Sequence, residues 1–78
     1  MSDEDAALKA AVAYQLRTRR ARLNWSQDEL AHRTGLGRRT VQRLEKGEVA
    51  MTLRHARAVS AAFGVHWLEF LRDVDADT

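Results

Sequence analysis

Apolar residues recur along this chain at helical spacing and fall into five short clusters. Residues 5 to 23, DAALKAAVAYQLRTRRARL, carry Val12, Leu16 and Leu23 at that spacing, with Ala13 and Tyr14 beside them, and predict a first helix. Asp5 suits its positive end, and Arg17, Arg19, Arg20 and Arg22 suit its negative end. Asn24 follows as a residue that tolerates the left-handed conformation of a helix stop. A second helix starts at Ser26. Ser26-Gln27-Asp28-Glu29 has the form of a capping box, in which the Ser26 hydroxyl accepts from the Glu29 amide and the Glu29 side chain reaches back. Leu30 and Ala31 face inward, and Thr34-Gly35-Leu36 reads as a turn that ends the helix near Arg33.

A third helix is expected from about Gly37 or Arg38 to Lys46, with Gly47 as its stop. Thr52 caps a fourth, Leu53 to Phe63, with Leu53, Ala56, Val59 and Phe63 on one side and Gly64 at its end. A fifth runs from about His66 to Val74 with Trp67, Leu68, Phe70 and Leu71. The pattern therefore predicts an all-α fold, a compact four- or five-helix bundle in one domain spanning residues 1–78. Residues 1–4 and 75–78 are expected to fray.

Composition supports helix over sheet: 45% of residues are hydrophobic, only 6% are aromatic, and there is no proline to interrupt a helix. With no cysteine there is neither a disulfide framework nor a thiolate metal site. No apolar run approaches the ~18 residues of a membrane span, and the start MSDEDAAL is acidic where a signal peptide is basic, so a soluble cytoplasmic protein without a membrane partner is expected. His32, His55 and His66 are dispersed, the first on a helix surface and the others at surface or capping positions. No H-E-x-x-H, P-loop or G-x-S-x-G occurs. No catalytic residue, metal site, cofactor or small-molecule ligand domain is expected.

The net charge of +2 hides an asymmetry: acids gather at both ends, whereas residues 9 to 57 hold 12 Lys+Arg against 4 Asp+Glu, a balance of +8. Eleven of the 13 basic residues are arginine, whose planar fork suits phosphate and guanine. A basic middle points to nucleic acid, against the alternative of a merely solvated surface. The third helix sharpens this. With Arg38 at 0° and about 100° per residue, Val41 and Leu44 fall near 300° and 240°, while Arg38, Gln42, Lys46, Arg39 and Arg43 fill the arc from 0° to about 140°. Four cations and one amide share that arc with no carboxylate. A solvated helix gains from mixed signs three and four residues apart, and here Arg39 and Arg43 are like-charged neighbours.

These residues carry a family resemblance. WSQDELAHRTGLGRRTVQRLEKG (25 to 47), with Ser26-Gln27, Leu30-Ala31, Gly35-Leu36, Thr40-Val41 and Leu44-Glu45-x-Gly47 in order, resembles the Cro/phage-repressor-type helix-turn-helix transcription regulators. The likeness runs from 16 to 71, through A-x-x-F-G-V and the final apolar helix, over two-thirds of the chain. It implies a lambda-repressor-like DNA-binding domain with the helix-turn-helix at helices 2 and 3, the latter lying in the major groove. Carried over to this chain, Arg38, Arg39 and Arg43 fall at base-reading positions, joined by Gln27 and Gln42. Ser26, Gly37, Thr40 and Lys46 fall toward phosphates, with Arg17, Arg19 and Arg22 as further phosphate contacts. Arg20 and Glu45 match a pair that forms a salt bridge between helices 1 and 3.

The implied partner is double-stranded operator DNA with a G-containing palindrome, bound by a homodimeric repressor. Trp67, Leu68 and Phe70 are candidates for the dimer interface, the alternative being that they complete a thin core. A second possibility is the antitoxin of a toxin–antitoxin pair, whose acidic tail meets a basic toxin. The chain departs from the family pattern at Gly37, where serine or threonine is usual, at Asn24 in place of glycine, at Trp25, which either fills the core or protrudes, and at Leu68, usually polar.

Overall fold

The computed structural model describes residues 3–78. Local signals place its helices: α1 is Asp3–Arg22, α2 Gln27–Thr34, α3 Arg38–Glu45, α4 Leu53–Phe63 and α5 Trp67–Ala76, with no strand among the described residues. Each of the first four helices stops on a residue of positive φ, Asn24 (59°), Gly35 (70°), Gly47 (70°) and Gly64 (72°). At Asn24 the stop is a Schellman motif, with Trp25 N donating to Arg20 O at 3.0 Å and Asn24 N to Ala21 O at 3.1 Å. Asparagine thus performs the turn expected of it.

The starts differ from expectation in one respect. Ser26 Oγ accepts from Glu29 N at 3.0 Å, but the Glu29 carboxylate turns away from the cap to Arg33 Nε at 3.1 Å, one turn further along α2. The reciprocal capping box forms instead on α4: Thr52 Oγ1 accepts from His55 N at 3.0 Å and His55 Nδ1 accepts from Thr52 N at 3.2 Å. An arginine four residues on offers the Glu29 carboxylate a charge-assisted partner, whereas α4 carries no acid of its own to divert His55.

Two clusters make up the core. Ala11, Val12 and Leu16 of α1 pack with Leu44 of α3, Val59 of α4, and Phe70 and Val74 of α5; Leu30 and Ala31 of α2 pack with Val41 of α3. Trp25 and Phe63 cover the second cluster with their rings stacked 5.8 Å apart, and Phe63 stacks in turn on Phe70 at 6.5 Å. The Arg33 guanidinium closes this stack 4.4 Å above Trp25. Trp25 is therefore half-buried packing, not a protruding ring.

Several expected positions are corrected. Leu23 lies beyond the end of α1 and is exposed, because the chain turns at Asn24 before the next core-facing position. Leu53, the first residue of α4, is 67% exposed and rims a shallow apolar groove with Leu8, Met51 and Leu71. At the C-terminus α5 runs to Ala76, two residues beyond the expected Val74, and the Asp77 carboxylate accepts from the buried Gln15 amide at 2.7 Å. At the other end Asp3 and Glu4 are already helical, while residues 1 and 2 lie outside the described residues.

Candidate nucleic-acid interface

The third helix is amphipathic in the sense its arc requires. Val41, Leu44 and Glu45 are buried, Thr40 and Gln42 are half-buried, and Arg38, Arg39, Arg43 and Lys46 are exposed. Eight residues at about 1.5 Å each make α3 about 12 Å long, and the roughly 10–12 Å diameter of a helix with its side chains fits the width of a B-DNA major groove.

Three contacts hold this helix against α1 and α2. Glu45 is only 4% exposed, yet its carboxylate is matched: Arg20 donates Nε to Oε2 at 2.8 Å and Nη2 to Oε1 at 3.0 Å. Arg20 Nη1 also donates to Trp25 O at 2.9 Å, tying the α1–α2 turn to the same centre. Gln27 Nε2 donates to Glu45 Oε1 at 3.1 Å. Because a carboxylate only accepts, the Gln27 amide is oriented with its nitrogen inward and its carbonyl oxygen as the remaining acceptor. At the far end Arg17 Nη1 donates to Glu45 O at 2.7 Å, supplementing a Schellman stop in which Glu48 N donates to Arg43 O at 3.0 Å and Gly47 N to Leu44 O at 3.2 Å. Arg17 and Lys46 border one shallow depression there.

The N-terminal end of α3 is built differently. Gly37 has φ 84° and ψ 150°, a region essentially confined to glycine, and it offers no side-chain cap. This explains why glycine stands where serine or threonine is usual: the backbone conformation excludes them. Beside it, Arg38 Nε lies 3.1 Å from Asp28 Oδ1 of α2, an exposed ion pair bridging the two helices of the motif. Arg39 and Arg43 have no side-chain ion pair or hydrogen bond among the described residues.

Several of the expected site residues are engaged within the fold. Arg19 turns into the fold: it pairs with Asp73 of α5, donates to Gln15 Oε1 at 2.9 Å, and places its guanidinium 5.4 Å from the Phe70 ring and 5.9 Å from Phe63. Its side chain is 12% exposed and takes part in the α1–α5 contact. Arg22 is exposed, but it borders Leu23, Arg19 and Phe63. Of the candidate dimer residues, Phe70 is fully buried core, Trp67 is half-buried under Arg57 at 5.5 Å, and Leu68 alone is largely exposed at 53%. Ser26 is occupied as the α2 cap. Asp28 was not singled out from the sequence, although it and Glu29 are the only acids between residues 24 and 44.

A capped helix, a glycine turn and a second helix with an outward basic face, locked to α1 by a buried ion pair, form a helix-turn-helix. A helix-turn-helix family pattern matches residues 16–70. The chain belongs to the Cro/phage-repressor-type helix-turn-helix family. Similar proteins include a hypothetical transcription factor of Neisseria meningitidis, 38% identical over 58 residues covering 74% of this chain and 55% of that protein. Another is an uncharacterised helix-turn-helix transcriptional regulator of Methanothermobacter thermautotrophicus, 36% identical over 62 residues covering 80% of this chain and 90% of that one. The crystal structure of a helix-turn-helix transcriptional regulator from Vibrio cholerae has the same fold, with a TM-score of 0.80 at 23% identity, over 92% of this chain and 41% of that one. The chain thus spans about half the length of the Neisseria relative.

Proposed function

We propose that this chain binds double-stranded DNA sequence-specifically, laying α3 in the major groove and repressing transcription by occupying its operator. The observation that carries this reading is the exposed, one-signed face of Arg38, Arg39, Arg43 and Lys46 on a helix fixed to α1 and α2 by the buried Glu45 centre. Rigid backing matters because base readout needs donors held in place, and arginine offers its fork to guanine O6 and N7. Arg17 and Lys46, which border one depression, are suited to the flanking phosphates, as are the half-buried Thr40 and the exposed Gly37, while Gln42 shares the arc of the base-reading arginines.

One helix of about 12 Å reads only a few base pairs, so the operator is an inverted repeat bound by two copies with half-sites about 34 Å apart. Leu68 of α5, with the edge of Trp67, is the surface we assign to self-association. In the acidic C-terminus Asp73 pairs with Arg19 and Asp77 accepts from Gln15, so part of its charge is engaged within the fold and it gives no separate support to a toxin partner. Selection from a random duplex library tests the reading. Enrichment of a guanine-containing inverted repeat supports it, and recovery of no common sequence contradicts it.

A further inference from the structure

The Asp28–Arg38 pair joins the second residue of α2 to the first residue of α3, and its position is unusual for a surface ion pair. The first turn of α3 carries no acid of its own, and Arg38 stands at the positive end of the helix dipole, where a cation is unfavourable. Both side chains are largely exposed, at 64% and 67%, so the pair adds little to stability. Its effect is geometric. Asp28 Oδ1 stands 3.1 Å from Nε, the inner nitrogen of the guanidinium, so the ion pair draws the group toward α2 by that nitrogen and leaves the two terminal nitrogens without an ion-pair partner. Those two nitrogens match guanine N7 and O6. Arg39 and Arg43 have no such partner and must be ordered on binding, at a cost in side-chain entropy.

We infer that Asp28 is a positioning residue for base recognition: it holds Arg38 in the conformation that reads guanine and makes this the most stringently read base of each half-site. Its carboxylate also faces the surface on which phosphates are expected, so it weakens binding to unselected DNA while sharpening choice among sequences. The inference rests on the DNA-binding reading above.

Selection from a random duplex library with the wild-type chain, Asp28→Ala, Asp28→Asn and Arg38→Ala tests it, followed by titration of single-base variants of the selected duplex. Asp28 is exposed, so these substitutions leave the fold intact. A well-held arginine–guanine pair discriminates roughly 5- to 150-fold. Asp28→Ala is expected to lower this severalfold at one base pair, the same one at which Arg38→Ala abolishes preference, and to raise affinity for unselected duplex. Asp28→Asn removes the charge that draws Arg38 toward α2 and is expected to lose preference at the same base pair as Asp28→Ala while sharing the gain in unselected binding. An Asp28→Ala profile equal to wild type, or altered at a base pair other than the Arg38 one, overturns the inference and leaves the DNA-binding reading intact. A wild-type chain that enriches no sequence instead overturns that reading itself.

Discussion

Arg20 and Glu45 meet at two points, Nε to Oε2 at 2.8 Å and Nη2 to Oε1 at 3.0 Å, and this pair fixes α3 to α1. Truncating one partner strands the other. Arg20→Ala is expected to destabilise the chain by about 3–5 kcal/mol, because an unpaired buried carboxylate remains. Against a total of roughly 5–15 kcal/mol for a small domain, that leaves little folded protein at elevated temperature. Replacing both partners together, Arg20→Met with Glu45→Leu, should cost less than either single truncation. Urea unfolding followed by circular dichroism measures both, and a cost below about 1 kcal/mol for Arg20→Ala contradicts the assignment.

Gly37 offers a different kind of test. Space is not the constraint, since nothing lies within 4 Å of where a Cβ would stand; the constraint is φ 84° with ψ 150°. Gly37→Ala is expected to cost about 1–3 kcal/mol through backbone strain alone. Gly37→Ser should cost about the same, because the capping hydroxyl arrives on a backbone that cannot use it. A stabilising Gly37→Ser would show that the α3 start relaxes to the extended conformation that Ser26 and Thr52 adopt at their caps.

The stack of Arg33 on Trp25 on Phe63 divides its energy unevenly. Trp25 is half-buried, so Trp25→Ala should cost about 2 kcal/mol, below the ~3–5 kcal/mol of a fully buried aromatic. Arg33→Ala removes an exposed cation–π contact and should cost about 1 kcal/mol or less. Thermal unfolding of the two variants separates them, and an Arg33 effect equal to that of Trp25 would contradict this division.

Much of the fold was legible because it rests on local chemistry. Asn24, Ser26, Gly47 and Thr52 act where their side chains and φ preferences allow, and Val41 and Leu44 alone orient α3. The Arg20–Glu45 pair was anticipated from the family resemblance and not from spacing. What the sequence hid depends on which helices meet. Four arginines crowd the end of α1, and nothing local distinguishes Arg19, which docks under α5, from Arg17, which reaches α3. Phe70 and Leu68 are neighbours on an apolar helix, and only the packing of α5 on α1 and α4 buries one and exposes the other. Asp28 escaped notice because its partner lies across the turn, ten residues on.

Self-association is expected to follow the exposed leucine of α5. Leu68→Glu should shift the sedimenting mass from two copies toward one, whereas Leu53→Glu, on the groove beside α1, should leave it unchanged. Equal masses for wild type and Leu68→Glu place the contact elsewhere.

The central claim is that α3 reads bases with Arg43 as well as Arg38, while Lys46 supplies charge. The affinities of Arg43→Ala and Lys46→Ala for the selected duplex and each of its single-base variants, taken across a salt series, test it most directly. Arg43→Ala is predicted to lose preference at one base pair, by roughly 1–3 kcal/mol. Lys46→Ala is predicted to weaken all duplexes alike and to reduce the slope of log K on log salt by about 0.9. An Arg43→Ala variant that weakens every sequence equally would contradict the claim.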